Sequence, residues 1–210
     1  MLPQAVVAVL SGPSFAREIA VDLPCGVVLA CADWSVGESL ARQISSPRFC
    51  IHLSDDLTGA AIGGVMKNVI SIASGIAAGR KLGENARATL ITLGFAEESR
   101  FGLAKGAKAA TFMGLAGLGD LMLTANSLKS RNTSLGVALG EGRRLADVLA
   151  ERKEVTEGAF SVEGVAALAK QLHVDMPITR ALDAVLNHGG DLDQEMAQFM
   201  THLPTLYHTG

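Results

Sequence analysis

A glycine-rich stretch at residues 111–132, with the sequence TFMGLAGLGDLMLTANSLKSRN, holds the residue types best suited to chemistry. Each glycine in it weakens a helix by about 1 kcal/mol relative to alanine, so helix propensity does not explain them. Glycines placed in this way let a backbone or a ligand approach closely. The stretch also supplies an acid, a hydroxyl, a cation and an amide, which together predict a small polar site on a helical wall. These side chains belong to Asp120, Ser130, Arg131 and Asn132.

Lys67 stands midway along the most apolar segment of the chain, next to Asn68 and with no carboxylate four residues away on either side. The structural interpretation is a lysine whose aliphatic stem covers apolar surface while its ammonium group reaches water. For a lone lysine this is the stronger alternative, because fully buried, unpaired lysines are rare. The functional interpretation is a lysine that faces a cleft, where loss of hydration favours the neutral amine and lets it exchange a proton. Sequence position leaves both interpretations open.

Asp120 and Ser130 each have a structural interpretation as helix caps. Asp120 follows a glycine and can begin a helix, and Ser130 can cap a helix that begins at Arg131 and leaves that side chain exposed. The functional interpretation combines the hydroxyl, the guanidinium and the following amide into an anion site at a helix N-terminus. A phosphate-bearing substrate suits such a site. The residue types indicate the site but name no substrate.

The overall composition argues against several classes of protein. The chain has 210 residues, of which 49% are apolar and only 4% aromatic, and this indicates a core of aliphatic and alanine-rich helix packing. A net charge of −3 gives no basic footprint for nucleic acid, and no uninterrupted apolar run approaches the roughly 20 residues that span a bilayer. The histidines lack paired spacing, so we predict no metal site. The cysteines are expected to be buried thiols in a reducing cytoplasm; they are Cys25, Cys31 and Cys50.

Strand and helix patterns alternate over the first part of the chain. The apolar runs at residues 5–10, 26–32 and 49–53 predict three strands, the first of them covered on both faces. Three strands with two short helices cannot form a self-sufficient layered domain, and the first strand would leave a bare sheet edge. We therefore expect residues 1–57 to be the C-terminal remnant of a larger α/β domain.

The rest of the chain has helical periodicity. Residues 61–78 are apolar nearly all round, which predicts a central buried helix. Residues 58–210 are expected to form an all-helical domain of about seven or eight helices. Across the whole chain, helix caps or first turns are expected at Pro13, Ser35, Asn85, Ser161 and Asp191.

Six short segments of the chain form a recognisable series. They are SGPSFAREIA at residues 11–20, KNVISIASGIAAG at 67–79, ENARATLIT at 84–92, GLAGLGDLMLT at 114–124, SRN at 130–132 and VTEG at 155–158. In order and spacing they resemble the bacterial NAD(P)-dependent glycerol-3-phosphate dehydrogenase family. The likeness covers essentially the whole chain, and several motifs in one order are far more specific than any one of them.

The resemblance implies a mainly α fold. An all-helical domain of the 6-phosphogluconate-dehydrogenase C-terminal type would occupy residues 58–210, preceded at residues 1–57 by the short α/β remnant of a Rossmann domain. The implied reaction is the reduction of dihydroxyacetone phosphate to sn-glycerol 3-phosphate with NADPH or NADH, for phospholipid synthesis in the cytoplasm. The family's glycine-rich fingerprint does not occur in this sequence. We therefore expect NADP or NAD to be bound mostly by a missing N-terminal half, and this polypeptide alone to have little or no dehydrogenase activity.

The resemblance also assigns roles to individual residues. It implies that Lys67 is the catalytic proton acceptor in the oxidation direction. Asp120 either keeps Lys67 charged or binds a substrate hydroxyl, and the sequence leaves this open. The implied substrate-binding residues are Gly12, Ser14, Lys67, Asp120, Ser130, Arg131 and Asn132. The implied cofactor-binding residues are Ala16, Arg131, Val155 and Glu157.

The expected partner is the small phosphorylated substrate, with a homodimer as a further expectation and with no nucleic acid or membrane. Two other interpretations stay open. One is a related two-domain hydroxy-acid or sugar-acid dehydrogenase, against which the SRN triplet after GLGD argues. The other is a non-catalytic helical domain for dimerisation or regulation, which would not bind glycerol 3-phosphate.

Overall fold

The computed structural model describes residues 5–151 and 156–202 and shows a small three-stranded sheet followed by packed helices. Strand β1 is Ala8–Ser11, β2 is Cys25–Cys31 and β3 is Phe49–Ser54. The sheet order is β1-β2-β3, with β1 antiparallel and β3 parallel to the central strand. The predicted class, a mainly helical chain with a short α/β segment in front, is confirmed.

The expectation that the first strand is covered on both faces is wrong. The long helix at Leu57–Gly79, α3, packs against β1, yet Leu10 is 50% exposed and Val7, just before the strand, is 64% exposed. The unbroken apolar run therefore predicted the strand correctly but did not predict its burial. The same error affects the cysteines, because Cys31 is buried and Cys25 half-buried, whereas Cys50 is exposed on the edge strand β3.

Two short helices flank the central strand in sequence, α1 at Ala16–Ile19 and α2 at Trp34–Ile44. Pro13 is not the first helical residue, since α1 begins three residues later. Ser35 does not cap α2 either. Its N-cap is Asp33, whose carboxylate accepts hydrogen bonds from the Val36 N–H (3.1 Å) and the Ser35 hydroxyl (2.8 Å). A carboxylate that accepts both donors is the better cap, and it lies two residues before the cap predicted from the sequence.

Helix α3, Leu57–Gly79, is the predicted central helix, and it contacts most of the other elements. By length and composition it could cross a membrane, contrary to the expectation from uninterrupted apolar runs. However, 72% of its apolar window is buried inside the protein, as expected of a core helix. Asp56 fixes its start by accepting hydrogen bonds from the Gly59 N–H (2.8 Å), the Lys108 N–H (2.8 Å) and the Thr111 hydroxyl (2.6 Å).

The remaining helices pack around α3. With α3 included, the described residues from 57 onward form nine α-helical segments and one π-helical turn, slightly more than predicted because two segments are very short. Their bounds are α4 Glu84–Ala104, α5 Ala109–Phe112, the π-helical turn Leu115–Gly119, α6 Asp120–Ala125, α7 Arg131–Gly140, α8 Leu145–Glu151, α9 Glu157–Gln171, α10 Pro177–Asn187 and α11 Leu192–His202.

Of the caps predicted at Asn85, Ser161 and Asp191, the first two are wrong and the third is confirmed. Helix α4 begins at Glu84 after Gly83, so Asn85 lies inside its first turn. Ser161 lies within α9 and donates to the Glu157 carbonyl (3.0 Å). Asp191 does cap α11, because its carboxylate accepts from the Gln194 N–H (2.9 Å).

Helices α3 and α7 cross with their backbones in contact. A Cβ atom added to Gly75 would lie 2.2 Å from the Thr133 carbonyl oxygen, and one added to Gly136 would lie 2.1 Å from the Ile72 carbonyl oxygen. Gly79 and Gly140 repeat the arrangement one turn further along, at 2.3 and 2.5 Å from facing carbonyl oxygens. Because these obstacles are backbone atoms, no side-chain rotation relieves them. The small-residue spacing of four on both helices therefore sets how closely they pack.

We expect Gly75→Ala to lower the free energy of unfolding by about 3 kcal/mol or more, since the new methyl group must push two helices apart. Gly164→Ala is the matched control, because Gly164 lies in α9 and a Cβ added there would meet no atom within 4 Å. There alanine should be neutral or stabilising by up to about 1 kcal/mol. Urea unfolding followed by circular dichroism measures both changes. Equal stabilities for the two variants would contradict a backbone contact at the crossing.

Glu97 on α4 joins that helix to the start of α10. Its buried carboxylate accepts from the backbone N–H groups of Ile178 and Thr179 and from the Thr179 hydroxyl. Burial raises the pKa of Glu97 to about 7, although these three donors favour the charged form. The carboxyl group therefore changes its charge near neutral pH.

This pKa predicts a pH-dependent stability. The folded-state pKa of Glu97 is raised from 4.5 to about 7, so the stability contributed by the neutral acid is complete below about pH 4.5 and is lost as the pH rises through about 7. Relative to Glu97→Gln, the wild-type chain should lose on the order of 3 kcal/mol over this range. Urea unfolding of both proteins across the range tests this. Parallel pH profiles for the two proteins would contradict the assignment.

Candidate active site

The structure brings Lys67 and Asp120 together from two different helices. The Lys67 Nζ atom of α3 lies 2.7 Å from Asp120 Oδ2, at the first residue of α6. The lysine side chain is 24% exposed and the aspartate side chain 3%. Asp120 is thus the first residue of α6 and not its N-cap, and the Lys67 ammonium is paired with a carboxylate. The two residues form a largely buried ion pair whose cation still reaches the surface.

Asp120 has further donors around it. The backbone N–H of Gly12 is close enough to stabilise its negative charge, and the Thr124 hydroxyl donates to Oδ1 at 3.4 Å. Burial raises the pKa of Asp120, while the Lys67 ammonium, the Gly12 N–H and the Thr124 hydroxyl oppose that rise. The charged carboxylate is thus expensive to bury and depends on these partners. Their loss should affect the site more than the loss of an exposed ion pair would.

Gly12 can occupy this place because it has no side chain. Its φ angle is +139°, and an added Cβ would lie 3.0 Å from the Val27 Cα atom of the neighbouring strand. The Ser14 hydroxyl donates to the Gly12 carbonyl (2.8 Å) and closes this turn. The loop after β1 is in this way held against the first turn of α6.

A second polar cluster joins α3, α7 and α9 beside the ion pair. Asn132 Nδ2 donates to Asn68 Oδ1 (2.9 Å), and Asn132 Oδ1 accepts from the Gly158 N–H (3.0 Å). Asn68 Nδ2 in turn donates to the Gly64 carbonyl (3.2 Å). Because Asn68 directly follows Lys67, this cluster fixes the turn of α3 that carries the lysine. Asn132 is 7% exposed and serves as a structural clasp between the helices.

The N-terminus of α7 lies next to this clasp. Ser130 is its N-cap, as predicted, and its Oγ accepts from the Thr133 N–H (3.3 Å). The Arg131 side chain is 48% exposed, and its Nη2 lies 4.0 Å from Oε1 of Glu157, the first residue of α9. The positive ends of two helices and an exposed guanidinium therefore come together beside the asparagine cluster.

Most of the predicted site residues converge, but not all do. Ala16 is exposed at the start of α1. Val155 lies outside the described residues. Sequence reasoning also missed Asn68 and Thr124 as site residues. Two signals could have found them. Asn68 directly follows Lys67 in the sequence, and Thr124 lies one helical turn after Asp120.

We expect Asn132→Ala to lower the free energy of unfolding by about 2 kcal/mol, because it leaves a buried N–H and a buried amide oxygen without partners. Asn126→Ala is the control, since Asn126 is exposed and donates only to the carbonyl and sulfur of Met122. It should change the stability by less than about 0.5 kcal/mol. Urea unfolding compares them. If Asn132→Ala is as mild as the control, the clasp does not stabilise the helices.

The structure thus combines a helical domain with a largely buried lysine–aspartate pair beside a polar helix N-terminus. Sequence comparison shows the family to which this arrangement belongs. Residues 56–197 match the family described as NAD-dependent glycerol-3-phosphate dehydrogenase C-terminus, and residues 1–36 match the corresponding N-terminus family. The chain belongs to the NAD-dependent glycerol-3-phosphate dehydrogenase family.

Individual relatives support this membership. The chain is 50% identical over 199 residues to glycerol-3-phosphate dehydrogenase [NAD(P)+] of Parvibaculum lavamentivorans, covering 95% of this chain and 60% of the relative. It is 51% identical over 193 residues to the protein of that name from Rhodospirillum rubrum, covering 92% of this chain and 55% of the relative. The chain thus spans less than two thirds of the length of these relatives.

A solved structure gives the same result. The crystal structure of glycerol-3-phosphate dehydrogenase from Coxiella burnetii superposes with a TM-score of 0.91 at 39% identity, covering 95% of this chain and 61% of that chain. The Saccharomyces cerevisiae enzyme superposes with a TM-score of 0.77 at 22% identity, which supports the fold alone.

Proposed function

We propose that this chain supplies the substrate-binding and proton-transfer groups of an NAD(P)-dependent glycerol-3-phosphate dehydrogenase, which interconverts dihydroxyacetone phosphate and sn-glycerol 3-phosphate. The observation that carries the proposal is the Lys67–Asp120 ion pair at 2.7 Å, buried except for the lysine. A proton donor that is fixed in direction and partly open to the surface suits a reaction at a small polar substrate.

Lys67 is the proton-transfer group in this proposal. In the reduction direction its ammonium donates a proton to the substrate carbonyl oxygen as that carbon becomes an alcohol, and in the oxidation direction the neutral amine takes the hydroxyl proton back. The bound nicotinamide cofactor would supply or remove the hydride at the same carbon. Asp120 accepts a hydrogen bond from Lys67 and thereby aims the Nζ atom. The positive charge of Lys67 stabilises the negative charge that develops on the substrate oxygen, while Asp120 holds the ammonium group in place.

The N-terminus of α7 is the proposed phosphate site. Ser130, Arg131 and Asn132 bring a hydroxyl, a guanidinium and a helix N-terminus to one place, and this combination suits a phosphate dianion. Binding the phosphate there would orient the reacting carbon toward Lys67. Gly12 and Ser14 complete the proposed substrate contacts through the loop that holds Asp120.

At one edge of the site, two exposed charged side chains suit the cofactor NAD or NADP. Arg131 and Glu157 are exposed at the first turns of α7 and α9, where a guanidinium suits a phosphate and a carboxylate suits a ribose hydroxyl. Ala16 and Val155 stay proposed cofactor contacts on the basis of the family resemblance. We also propose a domain boundary between residues 57 and 58, a cytoplasmic location, a role in phospholipid synthesis and a homodimer.

Binding of sn-glycerol 3-phosphate to this chain tests the phosphate site directly. We expect isothermal titration calorimetry to detect binding, and Arg131→Ala to weaken it at least about tenfold through loss of a charge-assisted contact. Arg180→Ala is the control, because Arg180 is an exposed arginine on α10 that faces only the exposed Asp175. An Arg131→Ala affinity equal to that of Arg180→Ala would argue for the non-catalytic alternative.

Catalysis can be tested in a chimera in which the N-terminal region of the Parvibaculum relative that precedes the match is joined ahead of residue 1. We expect dihydroxyacetone phosphate-dependent oxidation of NADH or NADPH, measured by absorbance. Lys67→Ala should lower kcat at least about 100-fold, as loss of a general acid does. Lys170→Ala, at an exposed lysine of α9, should leave kcat unchanged. Near-normal turnover by the Lys67→Ala chimera would refute the proposed proton transfer.

A further inference from the structure

Glu98 is a buried acid that the proposed reaction does not use. It lies on α4 with no exposed surface, and both carboxyl oxygens lack a hydrogen-bond partner among the described residues. Its neighbour Glu97, equally buried, is paired with three donors of α10. An ionised carboxylate without partners is far too costly to bury, so such a group stays protonated or acquires a function.

The position of Glu98 on α4 directs it toward the active-site wall. One turn before it, a Cβ added to Gly94 would touch Ile70 of α3 at 2.7 Å, and one turn after it, a Cβ added to Gly102 would overlap Phe112 of α5. Residues four apart share one helix face. Glu98 therefore lies on the stripe of α4 that packs against α3 and α5. Ile70, which this stripe contacts, belongs to the same core cluster as Leu121 of α6.

Few charged groups lie on the helices that pack against this face. The only charge on α3 is Lys67, α5 has none, and α6 contributes Asp120, which is close enough to interact electrostatically with Glu98. On α10, Arg180 pairs with Asp175 and Asp183 with His188, both at the surface. The charge that Glu98 meets in the interior is thus the anion of the Lys67–Asp120 pair. Burial and this anion together raise the pKa of Glu98 well above its usual value.

We propose that Glu98 is a positioning residue for the active site and lies near Asp120 as a neutral carboxylic acid. In that form it adds no charge, so the positive charge of Lys67 is balanced by the single negative charge of Asp120. Loss of its proton would place a second negative charge in the same buried space. Lys67 would then be drawn toward two acids, and the field at the site would oppose a phosphate dianion. The effect on substrate binding rests on the proposed function, whereas the protonation state of Glu98 does not.

The protonation state can be measured on the chain itself. With ¹³C-labelled glutamate and aspartate, NMR resolves the side-chain carboxyl carbons, which are assigned through bonds to the backbone. We expect Glu98 to show the shift of a protonated acid near pH 6, where exposed glutamates are ionised. In Glu98→Gln the titration midpoint of Asp120 should stay where it is, because a neutral group has been replaced by another. A carboxylate at position 98 near pH 6, or a fall in the Asp120 midpoint, would overturn the proposal.

The positioning role is tested by calorimetric titration of sn-glycerol 3-phosphate across a pH series. As the pH rises and Glu98 ionises, the wild-type chain should lose affinity roughly fivefold more than Glu98→Gln, given one added charge near the site. Glu97→Gln is the control and should show the wild-type loss. Identical pH profiles for wild type and Glu98→Gln would refute the role. If no variant binds, the proposed function fails, and the NMR result still decides whether Glu98 is neutral.

Discussion

Four glycines at the crossing of α3 and α7 let two helix backbones touch, and the arrangement of the site depends on this contact. Any side chain at Gly75 or Gly136 would overlap a carbonyl oxygen of the other helix. At this short separation Asn132 of α7 reaches Asn68 of α3. The contact therefore fixes the N-terminus of α7 relative to the helix that carries Lys67. Contacts between backbones have little freedom to relax, so they hold the two helices in place more firmly than contacts between long side chains would.

Electrostatics sets the second constraint. Asp120 is buried, so it depends on Lys67 from α3, the Gly12 N–H from the loop after β1 and the Thr124 hydroxyl one turn further along α6. Each partner comes from a different part of the chain or a different turn. The buried carboxylate thus ties the α/β segment to the helices, because removing any of these groups leaves its charge less compensated.

Local signals in the sequence were sufficient for much of the fold. The apolar runs located β2 and β3 within one or two residues, and the all-round apolar pattern located α3. These local signals predicted the wrong first residue or cap for two helices. Asp33 rather than Ser35 caps α2, and α9 begins at Glu157, four residues before the predicted Ser161. They also failed for burial, since an apolar strand at a sheet edge and Cys50 on another edge strand are both exposed. Burial depends on neighbours that are distant in sequence.

The sequence by itself determined the family, the polar residue types of the site and the order in which they occur, because motifs and glycine spacing are local properties of the chain. Only the tertiary structure showed that Lys67 is paired with Asp120, since the two residues lie 53 positions apart in sequence and no helical period connects them. It also showed that Asn132 is a clasp and that Glu98 is a buried acid without a hydrogen-bond partner among the described residues. These are properties of contacts between helices, and a contact is specified by packing and not by either residue alone.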